Sequence, residues 1–289
     1  MSLKLAIVTC SIDPERTRGF WETWRKQSTL STAWRAIVVI NNPEITPDIP
    51  RLIPGLTFNG TSGDIVIQHQ GIGGVVPMYY LGVQEALRGG ADIIACFHDD
   101  LAILEPGWDS AIVNAFERDK KLGLVCFSGA MGIGDVDIYK KPYSPNQLAR
   151  INFISNMVDA EKHGERVIEP RQIACGDGFS QIGSAKFFKQ AWEDLQAAGI
   201  KHHFYDTALG CLAYRYDYKA LYLPVHCKHH GGLTAVGNLN YARWAAEKNK
   251  LGDHGFWEEA HLWGYEEFRD VLPIRLGNLD EHVEEQIND

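Results

Sequence analysis

The sequence predicts an α/β fold with a mostly parallel central sheet flanked by helices. Three observations predict it. Short apolar runs alternate with amphipathic helical segments through the first half of the 289-residue chain. The runs are continuously apolar rather than alternating, as expected of strands covered on both faces. One of them, Asp92–Leu104 (DIIACFHDDLAIL), stops at an imidazole and two carboxylates, His98-Asp99-Asp100. Polar groups at the carboxyl end of a buried strand occupy the edge where open α/β sheets bind ligands.

Each element follows in order. Leu3–Cys10 reads as the first strand, and Glu15–Lys26 as a helix with Phe20, Trp21 and Trp24 on one face. Trp34–Asn41 is a second strand, ending at Asn41-Asn42-Pro43, and Asp64–His69 a short third. Pro77–Leu87 is a helix, with proline early in it and Gly89-Gly90 past its end. The His98 strand follows, then a helix over Trp108–Arg118 and a strand over Leu122–Phe127. Ser128–Tyr143 breaks the rhythm and reads as a long functional loop. A helix over about Asn146–His163 and a strand over Val167–Ala174 lead to Gly176-Asp177-Gly178-Phe179. Helices over Ala185–Ala198 and Tyr205–Tyr214 come next, then a strand over Lys219–Pro224 that ends in His226-Cys-Lys-His229-His230-Gly-Gly. Leu233–Asp289 is helical in composition and carries Tyr241, Trp244, Trp257, Trp263 and Tyr265.

Bulk composition narrows the function classes. The chain is 45% hydrophobic and 22% charged, ordinary for a globular protein, and its net charge is −9. With no long basic run, a nucleic-acid backbone is not an expected partner. Six scattered cysteines (Cys10, Cys96, Cys126, Cys175, Cys211, Cys227) contain no CxxC, and several sit in apolar runs. That suits reduced core residues rather than a disulfide framework. No segment reaches the ~20 apolar residues of a membrane span, and Leu3–Cys10 is too short for a signal h-region. The expectation is a cytoplasmic protein without a membrane span.

Adjacent carboxylates at Asp99 and Asp100 repel unless a cation sits between them. A hard divalent ion that shares its coordination sphere with substrate phosphates needs only one or two protein carboxylates. The alternative is a solvated turn capped by aspartate. The second histidine cluster, at the end of a later strand, tips the balance: if both strands share a sheet, His226, His229 or His230 can complete a site begun by Asp100. Zinc fits less well, since structural zinc wants four closed N/S ligands and catalytic zinc usually three protein ligands. Mixed carboxylate and imidazole ligation suits Mn2+ or Mg2+. Asp177, between two glycines, reads either as a tight turn or as a residue close to a ligand. Asp206 reads as a helix N-terminal carboxylate or a functional one. Gly71-Ile-Gly-Gly74 is not GxGxxG, and GxxxxGK[ST], GxSxG and HExxH are all missing.

The order of these pieces resembles the GT-A glycosyltransferases, in particular the large inverting family that includes rhamnosyl- and glucosyltransferases. Four stretches carry the resemblance: WRAIVVINN from Trp34; GGVVPMYYLGVQEALRGGADIIACFHDDLAIL, ending at Leu104; GDGFSQIGSAKFF from Gly176; and YDTALGCLAYRYDYKALYLPVHCKHHGG from Tyr205. The second resembles the helix and strand that deliver the DxD motif, and the last the "ED" helix and a terminal His-x-Gly-Gly. The resemblance spans about residues 3–232. It implies a GT-A domain over residues 1–232, with a nucleotide-binding half to about 127 and an acceptor-binding half from about 128, followed by a helical extension over 233–289.

Residue by residue, the resemblance implies that Asp100 is the metal-binding carboxylate of DxD, with His98 where the first Asp is usual and Asp99 reaching the donor ribose. His229 matches the histidine that can ligate the metal. Asp206 matches the general base, Tyr205 replaces the Glu of the "ED" pair, and Asp177 is a second candidate base. Thr9, Ser11, Asn41 and Asn42 fall at strand ends that hold the nucleoside. Tyr79-Tyr80 stands near the usual Asn of the following helix. The activity implied is metal-dependent transfer of a hexose from a nucleoside-diphosphate sugar, UDP by family precedent, to a hydroxyl of a glycan, lipid, protein or small molecule. The histidine in DxD lowers the negative charge of the site and favours Mn2+ over Mg2+. A nucleotide-sugar hydrolase and a non-catalytic nucleotide- or glycan-binding module are the alternatives. The C-terminal aromatics stack on sugar faces or pack helices onto the sheet.

Overall fold

A computed structural model of the protein describes residues 3–30, 34–42, 65–68, 74–134, 149–202, 204–231, 264 and 266–276. Among these, β1 (Leu5–Ser11), β2 (Arg35–Ile40), β3 (Ile65–Gln68) and β4 (Ile93–His98) are parallel neighbours in the order β3-β2-β1-β4. The sheet continues through β12 (Ser180–Ser184), β6 (Leu122–Cys126), β13 (Lys219–Tyr222) and β10 (Arg171–Ile173). β12 runs antiparallel to both β4 and β6, and β10 antiparallel to β13. Six of the eight strands thus share one direction, because β13 is parallel to β6. The expected α/β architecture with a mostly parallel sheet and flanking helices is what the chain adopts.

Two apolar cores lie on the two faces of this sheet. One packs α1 (Pro14–Gln27) and α3 (Trp108–Arg118) through Trp21, Trp24, Trp108, Ile112 and Phe116. The other packs α2 (Val75–Arg88), α4 (Ala185–Ala197) and α5 (Tyr205–Arg215) through Tyr79, Val83, Phe188, Trp192 and Leu209. Covering both faces explains why β1, β2 and β4 are continuously apolar. All six cysteines are free, and five are buried, which bears out their reading as core residues.

The structure corrects three expectations. Ser128–Gly134 is not loop but β7, and Asn146–His163 is not a helix: Ala149–Ser155 forms β8, antiparallel to β7, followed by a single 3-10 turn over Ala160–Lys162. Ile151, Phe153 and Ile154 favour a pleated surface over a helix, and pairing with β7 decides it. The rest of the expected loop, 135–143, lies outside the described residues. A second sheet orders β11 (Cys175–Gly176), β7, β8 and β9 (Glu165–Arg166), with β15 (Ile274–Arg275) also on β7. The third correction is β12. Its sequence, Ser-Gln-Ile-Gly-Ser, carries one large apolar residue, and its strand character comes from the slot between β4 and β6. Gly183 is required there, because the Phe188 ring fills the space a β-carbon would need.

Most of the expected helical extension, including all five of its named aromatics, lies outside the described residues. Within 266–276, Phe268 is fully buried in the core beneath α5, and Ile274 pairs with Ile133.

A buried carboxylate fastens the segment after α1. Asp109, fully buried in the first turn of α3, accepts from the backbone N–H of Thr29 (3.0 Å), Leu30 (2.7 Å) and Ser110 (2.9 Å) and from the Ser28 hydroxyl. Burial favours the neutral acid, but the Ser28 hydroxyl and these amides outweigh it and hold the carboxyl below its usual range. Asp109→Ala should cost about 1–3 kcal/mol at pH 7, since it orphans several part-buried donors. A depressed folded pKa contributes stability that is complete above the unfolded value and lost as pH falls through the folded one. The gap between variant and parent in urea unfolding should therefore close as pH drops below the normal aspartate range. A gap independent of pH would refute the ionic role.

Candidate active site

Strand direction sets the site. β1, β2 and β4 all end at the same edge, so Thr9, Ser11, Asn41, Asn42 and His98-Asp99-Asp100 gather there. β12 begins at this edge, and His98 N–H donates to the Phe179 carbonyl (3.0 Å), which brings the Asp177–Phe179 turn beside His98.

The chain then leaves β4 through Asp99-Asp100 into β5 (Leu101–Ile103), which pairs antiparallel with β14 (Cys227–His229). His229 lies opposite Leu101, and His230 N–H donates to the Asp100 carbonyl (3.2 Å). This small ribbon is what brings residues 100 and 229 together. α1 holds its other side: Trp24 Nε1–H donates to the Leu101 carbonyl (2.7 Å), and Ile103 N–H to Thr23 Oγ1 (3.0 Å).

Three side chains converge. His98 Nδ1 is 3.2 Å from His229 Nε2, and His229 Nε2 is 3.2 Å from Asp100 Oδ1. The ligand atoms of His98, Asp100 and His229 all lie within 4.8 Å of one another. Burial, reinforced by His229, pushes the His98 pKa down to about 4, so this imidazole is neutral near pH 7. For His229 burial works downward too, but contact with Asp100 prevails and raises it. Burial of Asp100 favours its acid form, yet the His229 and His98 rings leave its pKa lowered.

Asp100 Oδ1 is buried, and although His229 is at ion-pair distance, no well-directed hydrogen-bond donor among the described residues reaches it. A buried carboxylate oxygen without a donor, beside two imidazole nitrogens, is the donor set a divalent transition-metal ion takes. The three residues fit a divalent metal ion.

The ribbon also separates the three histidines. His226 Nδ1 is engaged by the Asn156 carbonyl (3.0 Å), and His230 packs its ring 5.0 Å from Phe20. Of the three rings, only that of His229 reaches the Asp100 carboxylate, and it is stacked on Phe179 at 4.8 Å.

The expected nucleoside residues are all buried at the strand ends. Asn42 Nδ2 donates to the Ile12 carbonyl (3.0 Å), and the Ser11 hydroxyl accepts from Asp13 N–H (3.1 Å), so both shape the edge itself. The Thr9 hydroxyl has no hydrogen-bond partner among the described residues. Asp99 is buried in the turn between β4 and β5.

On the second-sheet side, Arg150 of β8 lies 3.2 Å from Asp206 Oδ2 and 3.8 Å from Asp177 Oδ1. The other oxygen of Asp206 accepts from Thr207 N–H (2.8 Å). Asp177 Oδ1 accepts from Gly178 N–H (2.7 Å), while its Oδ2 has no partner among the described residues. Sequence reasoning missed Arg150, since its strand reads as a helix, and gave Tyr205 no role beyond replacing a glutamate. The Tyr205 hydroxyl in fact joins His98 Nε2 (3.0 Å) to the Gly178 carbonyl (2.8 Å).

No protein-family model matches the chain, and no curated protein does. Solved structures do. One is the crystal structure of GalNAc-T7 with UDP, GalNAc and Mn2+, similar over 100% of this chain at a TM-score of 0.55 and 12% identity. This chain spans 58% of the length of that one. Likeness at that identity concerns the backbone alone, and together with the strand order it shows a GT-A-like α/β fold.

Proposed function

We propose that the chain is a metal-dependent glycosyltransferase that moves a hexose from a nucleoside-diphosphate sugar, with UDP as the nucleotide, to a hydroxyl acceptor. The observation that carries the reading is the convergence of His98, Asp100 and His229 at the ligand-binding edge of a GT-A fold. That GalNAc-T7 was crystallised with UDP and Mn2+ supports the choice of donor and ion.

Asp100, His98 and His229 would hold Mn2+, which supplies charge neutralisation for the diphosphate leaving group. Thr9, whose buried hydroxyl lacks a partner among the described residues, and the strand ends at Ser11, Asn41 and Asn42 would cradle the nucleoside, with Asp99 toward the ribose. Transfer with inversion needs a carboxylate that takes the acceptor proton as the new bond forms. The resemblance points to Asp206, but Arg150 and Thr207 engage both of its oxygens. Asp177, one of whose oxygens has no partner among the described residues, is the proton acceptor we favour; Asp206 then sets the position of Arg150 between the two acids.

Calorimetric titration with UDP, GDP and dTDP, each with and without Mn2+, tests the reading. The expected result is UDP binding that requires Mn2+. If no diphosphate binds under either condition, the transferase reading falls. Donor breakdown as fast without acceptor as with it would identify a hydrolase instead. No helix among the described residues is long and apolar enough to cross a membrane.

A further inference from the structure

The Tyr205 hydroxyl carries one proton and has two neighbours. One is the Gly178 carbonyl oxygen at 2.8 Å, which can only accept. The proton therefore goes to Gly178. Toward the second neighbour, His98 Nε2 at 3.0 Å, the phenol oxygen is left as an acceptor. That contact is a hydrogen bond only if Nε2 bears the proton of the neutral imidazole. Nδ1 is then bare, and Nδ1 is the atom that faces His229 Nε2 at 3.2 Å within the three-residue cluster. One phenolic proton thus dictates which His98 nitrogen offers a lone pair.

The phenol has little freedom to do otherwise. Tyr205 is buried at the start of α5, its ring 6.1 Å from Trp192 and 6.2 Å from Tyr79. Gly178 allows the close approach: a β-carbon there would lie 2.5 Å from the Tyr205 oxygen. The Gly178 carbonyl belongs to the turn that carries Asp177, so the same hydroxyl joins the metal-ligating histidine to the proposed proton acceptor.

We propose that Tyr205 is a positioning residue that locks His98 as its Nε2–H tautomer, through the chain Gly178 C=O···H–O Tyr205···H–Nε2 His98, and so presents Nδ1 to the cation. This rests on the metal reading above. Groups that orient a ligating histidine through its other nitrogen typically change metal affinity by about 10–100-fold.

The test uses the full chain and has two arms. The first is long-range 1H–15N NMR of the histidine side chains without metal, with His98 assigned by the signal lost in His98→Gln. The expected spectrum shows an unprotonated Nδ1 and a protonated Nε2, replaced in Tyr205→Phe by a mixture of tautomers. The second is titration with Mn2+ alone, followed by electron paramagnetic resonance. Affinity should fall about 10–100-fold in Tyr205→Phe. Gly178→Ala, which displaces the hydroxyl while keeping it, should reproduce both changes even if Tyr205→Phe fails to fold. A His98 protonated at Nδ1 in the parent overturns the proposal. So does a parent that binds Mn2+ while both variants bind it equally well. A parent that binds no Mn2+ removes the metal reading itself, and the nitrogen spectrum, which needs no metal, separates that failure from a wrong tautomer.

Discussion

Asp100→Ala should abolish Mn2+-dependent binding of UDP, weakening it at least 100-fold, or about 2.7 kcal/mol. Asp100 supplies the only carboxylate oxygen in the three-residue cluster. Without it two imidazoles remain, an uncharged pair that suits softer cations and leaves the positive charge of the ion uncompensated. Asp100 is also the contact that keeps the His229 pKa raised despite its burial. Asp100→Asn should lose nearly as much, because the amide keeps the shape and removes the charge; it separates ligation from packing. The measurement is calorimetric titration of each variant with Mn2+ and with UDP plus Mn2+, alongside circular dichroism of the metal-free chain to confirm the fold. Retention of Mn2+-dependent binding within threefold of the parent would refute ligation by Asp100.

Why this site was half visible in the sequence follows from how it is built. β1, β2, β4 and β6 are buried between two layers of helices, and that condition writes itself into sequence as continuous apolar runs. The carboxyl edge of those strands therefore reads directly, and His98, Asp99 and Asp100 with it. The choice among His226, His229 and His230 does not read, because the antiparallel register of β14 on β5 makes it. β5 is three residues long and looks like a continuation of β4. β12 is hidden for the opposite reason: its place between β4 and β6 is specified by its neighbours, through Gly183 under Phe188, rather than by its own residues. Arg150 follows from neither pattern. Its two carboxylate partners sit in the turn before β12 and the first turn of α5, and only the second sheet brings β8 against them.

That arrangement sets the last and most consequential expectation. Asp177→Asn should lower transfer to acceptor by about 100- to 10,000-fold, the usual contribution of a positioned base, while UDP and Mn2+ affinity stays within a few fold. Asp206→Asn should behave differently. Asp206 is buried and bonds Arg150 through one oxygen and Thr207 N–H through the other. Among the described carboxylates, removing its charge leaves Arg150 the longer contact with Asp177, so the variant should lose stability by about 1–3 kcal/mol. Its transfer rate should fall indirectly, as Arg150 shifts onto Asp177 and occupies the oxygen that would accept the proton. The two variants are thus distinguished by urea unfolding, which only Asp206→Asn should change appreciably, and by single-turnover transfer, which Asp177→Asn should reduce more. The anomeric configuration of the product supplies an independent check. Attack from the face opposite the leaving group calls for a base, so an inverted product with loss of rate in Asp177→Asn supports the assignment. Full transfer by Asp177→Asn with a product of retained configuration would remove the base from the mechanism and leave Asp177, Arg150 and Asp206 as an acceptor-side ion-pair network.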